Sequence, residues 1–425
     1  MRPSQRQTNA QDHSALANGS TLAWLIAPVT VSEFFDTYFE QQTLLLSRNR
    51  PNYFWHLLSL DDVDHAITTL LPSSGQIELV KADSQDPINS DEYLAPSGFA
   101  DPARVASLFA AGATVILPAL NRRSLKLAEL CAGLEAEFTQ PFQTNVYLTP
   151  PSSQGFRVHY DSHDVFVIQA AGSKIWDFYR APIEFPLHTQ SFVPAEYDPG
   201  PVTRSFEIKS GDILYVPRGL MHEARSTNET SLHITVGVLS YTWADLMVDA
   251  VTAVCLSEPA FRKSLPPGFV REGFDRGWAR TYFRKLLDIL REKSEIDTLL
   301  DIFSDHFIGT RALPLSGQLE AMDPTNPLAL HDAFAPRRHL IFRLIKAADS
   351  EQMTLRAHGV ELTLPGAIEN AVRFALTCPS YRANDLPVAL SSADKLTLLA
   401  RLLREGLIER KRSGDAPAFL VNEPP

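Results

Sequence analysis

Six short segments decide the fold: Asn145-Val-Tyr-Leu-Thr149, Asp164-Val-Phe-Val-Ile-Gln169, Ile175-Trp-Asp-Phe-Tyr179, Arg204-Ser-Phe-Glu-Ile208, Asp212-Ile-Leu-Tyr-Val216 and Leu232-His-Ile-Thr-Val236. Each alternates or runs apolar over strand length, and Gly, Pro, Ser or Asp breaks the chain between them. Several short strands crowded into one stretch predict a sandwich or barrel. Helical spacing flanks it. Val31 to Phe39 and Leu60 to Leu71 read as helices upstream, with the aromatics of the first as a packing stripe. Thr43 to Leu46 and Val115 to Leu117 read as strands. Ala244 to Leu256, Trp278 to Leu290 and Glu295 to Phe307 read as helices downstream. Residues 310–336 carry several prolines and read as a linker. In the last helix, Ser392 to Glu405, Ser392 is the expected N-cap and Leu396, Leu399, Leu402 and Leu403 form the apolar stripe.

Between the first two strands lies Arg157-Val-His-Tyr-Asp161. In extended backbone, residues two apart share a face. His159 and Asp161 can therefore aim an imidazole and a carboxylate at one point. Gly211-Asp-Ile-Leu-Tyr-Val-Pro-Arg-Gly-Leu-Met-His222 supplies the third donor, with a turn at Gly211-Asp212, a second at Pro217 to Gly219, and His222 opening the next strand. Two histidines and one carboxylate on one face leave half a coordination sphere open, the pattern that suits non-haem Fe(II) with 2-oxoglutarate and dioxygen as co-reactants. A zinc or manganese cupin and a non-catalytic binding module are the rivals.

His163 stays out of the metal set, with a substrate contact as its alternative role. His233 alternates with Leu232, Ile234 and Val236, so it points either into the barrel or into a hydrogen-bonded core position. His56, His65, His188 and His306 carry no spacing signal. Lys174 follows the Gly172-Ser173 turn, on a strand expected to pair with the His-x-Asp segment. It could meet the distal carboxylate of 2-oxoglutarate, or it could be a turn lysine in water.

The stretch Asn145 to Trp176, the block Gly211 to His222 and the block Ser231 to Thr235 together resemble the JmjC-type cupin oxygenases, and within them the ribosomal-oxygenase branch. That resemblance implies an α+β fold. It would comprise a double-stranded β-helix (cupin/JmjC) barrel with flanking helices, a helical dimerisation region and a C-terminal winged-helix-like domain. Residues 1–18, rich in Gln, Asn, Ser and Asp, read as a disordered tail by composition; the divisions the resemblance implies are 19–243 as the catalytic domain, 244–335 as the dimerisation region with its linker, and 336–425 as the winged-helix-like domain. The resemblance also makes His159, Asp161 and His222 the iron ligands and Lys174 the partner of the distal carboxylate. Asn145 becomes a polar group near the cosubstrate, and Tyr147 an active-site aromatic. The implied activity is hydroxylation of a histidine or arginine side chain of a protein, a ribosomal protein among the candidates, by a homodimer. A small peptide or amino-acid metabolite is the alternative substrate.

Composition bounds the partners. The net charge of −11 disfavours broad nucleic-acid binding. From His331 onward, 13 Lys and Arg meet 11 Asp and Glu, too even for a basic stripe. The three cysteines, Cys131, Cys255 and Cys378, form no CxxC pair, so a reducing, cytoplasmic setting is expected. No apolar run approaches the ~20 residues a membrane helix needs, and no signal peptide is read.

Overall fold

The structure is a computed structural model that describes residues 20–411, apart from 85, 347–349 and 388–389. The expected disordered tail, residues 1–18, lies outside the described residues. Two compact units emerge. One holds the chain up to Ser240 together with Ala312–Ile341 and the part from Pro365 onward; the other holds Tyr241–Arg311 with Phe342–Leu364.

The first unit is built on ten strands: β1 (Leu44–Leu46), β2 (Glu78–Val80), β3 (Thr114–Leu117), β4 (Phe142–Thr149), β5 (Asp164–Ala171), β6 (Ser173–Phe178), β7 (Arg204–Lys209), β8 (Ile213–Val216), β9 (His222–Ser226) and β10 (Ser231–Val238). Seven form one sheet in the order β1-β8-β5-β10-β4-β3-β2, and β7-β6-β9 form a smaller one. All ladders within both sheets are antiparallel. These two facing sheets make the cupin-type barrel.

The side-chain period of two explains the packing. Along β5, Phe166, Ile168 and Ala170 join the larger core, while Val165 and Val167 join Trp176, Phe178, Ile208 and Leu214 in the barrel interior. Along β10, Leu232, Ile234, Val236 and Val238 face the larger core. That leaves His233, Thr235 and Gly237 on the inward face. β5 and β10 are buried along nearly their whole length, which is why they read as apolar runs rather than clean alternations.

The aromatic stripe near the N-terminus packs as expected: Phe34 is fully buried and lies 5.4 Å from Phe166 and 5.1 Å from Tyr215, ring to ring. Its helix differs from the expected one, with a single α-turn (Val31–Glu33) passing into a π-helical stretch (Phe34–Tyr38). The wider π turn places Phe34, Phe35 and Phe39 around Phe138.

In the second unit, helices Trp243–Ser257, Gly277–Lys293 and Ile296–Thr310 accompany a sheet of Phe342–Ile345, Gln352–Ala357 and Val360–Pro365. Arg343 reaches Asp301 and Asp305, and Arg356 also pairs with Asp305, tying that sheet to the third helix. The contacts thus divide the 336–425 segment. Ala333–Pro336, Tyr381–Arg382 and Ile408–Arg410 form a further small sheet within the first unit. The expected linker contains a short helix, Gln318–Ala321. The last helix spans Ser392–Arg404, and its N-cap is Ser391, whose hydroxyl accepts from the Asp394 amide, so the cap falls one residue earlier than expected. No described helix is long and apolar enough to cross a membrane.

Candidate metal centre

His159 and Asp161 sit on extended backbone just before β5, not on a regular strand. The only pairing there is an isolated bridge to His222: the His159 amide donates to the His222 carbonyl at 3.0 Å, and the His222 amide returns the bond at 2.8 Å. This bridge sets the imidazoles side by side, ring centroids 4.7 Å apart. The Asp161 carboxylate comes within 3.7 Å of His222 Nε2. One ligand atom from each of His159, Asp161 and His222 lies within 4.8 Å of the other two, and no further His, Cys, Asp or Glu joins them among the described residues.

The donor chemistry fits a metal ion. His159 Nδ1 is 2.9 Å from the Arg157 carbonyl, and His222 Nδ1 is 3.0 Å from the Leu220 carbonyl. A carbonyl only accepts, so each Nδ1 carries the proton and each Nε2 offers a lone pair toward the cluster. Burial, then the neighbouring His159, pushes His222 down to about 4, which keeps its ring neutral near pH 7. Burial alone would raise the Asp161 pKa; His222, His163 and His159 outweigh it and hold the carboxyl below its usual range.

A buried ion-pair network joins the two ligand-bearing segments. Asp164, fully buried, opens β5 and accepts from Arg218 Nη1 at 2.6 Å and from the Tyr215 hydroxyl at 2.8 Å. Arg218 also pairs with Glu40, and the Phe185 ring covers its guanidinium. Beside it the Gly219 amide donates to the Asp161 carbonyl at 2.9 Å. Gly219 has φ +84°, and a Cβ there would fall 2.3 Å from the Ile183 carbonyl oxygen, so the turn into His222 requires glycine.

The cluster opens into a cavity that also reaches Asn145, Tyr147, Lys174 and His233. Lys174 is 3% exposed and has no ion-pair or hydrogen-bond partner among the described residues. Burial pushes its ammonium down to about 7. A water-exposed turn lysine is therefore not what the structure contains. Lys174 lies within β6, which pairs with β7 and β9 rather than with the His-x-Asp segment, because that segment forms no ladder. His233 stacks on Tyr147 at 4.7 Å with the rings nearly parallel, and its buried Nδ1 has no partner among the described residues. Burial, and then Lys174, lowers its pKa well below the usual range. Asn145 Oδ1 accepts from the Ala119 amide and from Gln143 Nε2.

Sequence reading passed over Trp176, which lies two residues after Lys174 on the same strand face. Its buried Nε1 also lacks a partner among the described residues, and its ring sits 5.5 Å from His222. Thr235 was missed in the same way, two residues after His233. Alternation alone would have found both. His56 instead packs on Trp24, and His306 stands near Tyr241 in the second unit.

The fold and the cluster define a JmjC-type cupin, and the JmjC domain family matches residues 122–246. Human Ribosomal oxygenase 1 is 34% identical over 256 residues, 58% of this chain and 39% of that protein. The bifunctional lysine-specific demethylase and histidyl-hydroxylase NO66 of Dictyostelium discoideum is 28% identical across 95% of this chain and 84% of its own length. The chain thus spans about two fifths of the human relative. Among solved structures, the ribosomal oxygenase YcfD of Escherichia coli, in complex with cobalt and 2-oxoglutarate, superposes with a TM-score of 0.52 over 91% of this chain and 99% of YcfD, at 16% identity, a likeness of fold. Residues 122–246 thus match the JmjC domain family, and the chain is similar to ribosomal oxygenases.

Proposed function

We propose that this chain is an Fe(II)- and 2-oxoglutarate-dependent dioxygenase that hydroxylates a side chain of a protein, with a histidine of a ribosomal protein as the favoured target. One observation carries the reading: a three-donor face with no fourth His, Cys, Asp or Glu among the described residues, sharing a cavity with a buried lysine that has no anionic partner.

In this reading His159, Asp161 and His222 hold the metal through two neutral imidazoles and a carboxylate. Lys174 pairs with the distal carboxylate of 2-oxoglutarate, which would restore full charge to its ammonium. Asn145 and Tyr147 line the cosubstrate's flank, and His233 braces Tyr147 by stacking. Trp176, Val165, Val167 and Ala224 keep water from the reacting atoms. When bound, the metal with 2-oxoglutarate and dioxygen supplies insertion of one oxygen atom into a C–H bond, the other oxygen leaving in succinate as carbon dioxide is released.

Histidine is favoured over arginine because Asp161 is the only carboxylate among the described residues that line the cavity, and the metal would engage it. A buried guanidinium would want a carboxylate of its own. A free peptide or amino-acid metabolite is the second substrate class. The domain organisation is carried as part of the proposal. Residues 244–335 serve dimerisation, supported by Trp243, Met247, Val248, Val251 and Leu256, exposed on one helix. Of residues 336–425, the part in the first unit, from Pro365 onward, would act as a winged-helix-like protein-contact region. A reducing cytoplasmic setting suits Cys131, Cys255 and Cys378, all free.

The test has two arms. Purified protein with Fe(II) should convert 2-oxoglutarate to succinate, and His159→Ala should abolish this. Mass spectrometry of ribosomal proteins from a deletion strain should show a modification of one oxygen atom missing. No succinate from the iron-loaded protein would favour a binding module or another metal's chemistry instead.

A further inference from the structure

The inward face of β10 carries three residues in a row, His233, Thr235 and Gly237. The register sets them opposite Tyr147, Asn145 and Gln143 of β4 and opposite Gln169, Val167 and Val165 of β5. His233 and Lys174 mark one end of this row. The other end is a glycine in ordinary strand conformation, where β-propensity would favour a branched side chain. The space is taken by His163: a Cβ on Gly237 would stand 2.6 Å from His163 Cδ2 and 2.8 Å from Nε2.

His163 thus reaches the cavity by laying its ring on a bare Cα. It lines the same cavity as the metal cluster yet stands outside the three-donor set. Neither ring nitrogen has a hydrogen-bond partner among the described residues. The Thr235 hydroxyl is likewise without one. Four residues of strand, about 13 Å, separate Gly237 from His233, which sets the seat of His163 at the opposite end of this row from His233. The Phe156 ring, 40% exposed and 5.5 Å from His159, offers a flat apolar face at the same cavity.

We propose that His163, seated on Gly237, is a substrate-contacting residue. It would hydrogen-bond a planar, uncharged target side chain that packs against Phe156, with an imidazole as the fitting chemistry. This rests on the dioxygenase reading above and adds a specificity residue to it. A neutral imidazole presents one donor and one acceptor, which the free nitrogens of His163 and the Thr235 hydroxyl can answer. Gly237 acts only through His163, by leaving room for it.

The test loads the full chain with Mn(II) and 2-oxoglutarate without oxygen and adds N-acetylhistidine methylamide. Paramagnetic broadening of the probe's ring protons by Mn(II) reports engagement beside the metal; N-acetylleucine methylamide is the control. Wild type should broaden the histidine probe and not the leucine one. His163→Ala should cut the broadening at least fivefold while Mn(II) and 2-oxoglutarate affinities, measured calorimetrically, stay within twofold. Gly237→Ala should act alike, because its methyl displaces the ring, and in a His163→Ala background it should add nothing.

Equal broadening in wild type and both variants overturns the proposal. So does equal broadening of the two probes, or none of the histidine probe by a wild type that binds Mn(II) and 2-oxoglutarate. Loss of Mn(II) binding in His163→Ala overturns it as well, by making the residue a support of the metal. A wild type that binds neither Mn(II) nor 2-oxoglutarate sinks the dioxygenase reading itself.

Discussion

Replacing Lys174 by methionine should make the protein more stable and its cosubstrate binding much weaker. The ammonium is buried without a partner, and burial alone brings its pKa from 10.5 to about 7. At 1.36 kcal/mol per unit, holding the charged form in the folded chain costs at most roughly 5 kcal/mol. Methionine fills a similar volume without that cost. The folded protein binds fewer protons at this site than the unfolded chain between pH 7 and 10.5, so wild-type stability rises with pH across that window. The advantage of Lys174→Met should be full below pH 7 and vanish near pH 10.5. Bound 2-oxoglutarate reverses the sign, since removing one member of a buried ion pair typically costs ~3–5 kcal/mol. Its affinity should fall roughly 10²- to 10⁴-fold. Urea melts of the metal-free protein from pH 6.5 to 10.5 and calorimetric titration with 2-oxoglutarate and Mn(II) read both arms. A variant less stable than wild type at pH 7, or one binding 2-oxoglutarate as tightly, would refute the assignment of Lys174 as an anion anchor.

Other substitutions probe the frame around the ligands. Asp164→Ala leaves the buried Arg218 guanidinium with Glu40 alone and takes away the acceptor of the Tyr215 hydroxyl; it should cost about 3 kcal/mol in denaturant melts, and a loss below about 1 kcal/mol would show the network to be dispensable. Gly172 has φ +63°, and a Cβ there would meet the Thr230 carbonyl oxygen at 2.0 Å. Gly172→Ala should therefore destabilise by roughly 2–4 kcal/mol and weaken 2-oxoglutarate binding by moving Lys174, whereas a neutral result would place the turn's constraint elsewhere. The metal-free protein should lose stability as pH falls from 6.5 toward 4, because the unfolded chain protonates His222 before the folded one does. His222→Phe should flatten that part of the profile, and an unchanged slope would assign it to other groups.

Much of the site was legible from spacing. The short-range part needed only the geometry of extended backbone: His159 and Asp161 share a face because residues two apart do, and the glycine-proline turns before His222 announced a strand start. Most strands appeared within a residue or two of their expected ends, since their apolar runs answer to a local period, while the one expected from Asn145 begins three residues earlier, at Phe142. The less legible parts depend on partners distant in sequence. No pattern tells that β6 pairs with the strand beginning at His222, that Asp164 meets Arg218, or that Lys174 is shut away from water.

The sequence by itself determined the barrel and its three candidate ligands, because alternation and turn chemistry are properties of neighbouring residues. Only the tertiary structure decided which face each strand turned inward, and so which groups went without partners among the described residues: the Lys174 ammonium, the Trp176 indole nitrogen, the His233 Nδ1 and the His163 ring lying on Gly237. Burial and register set those facts, and both arise from segments that meet only when the chain closes on itself.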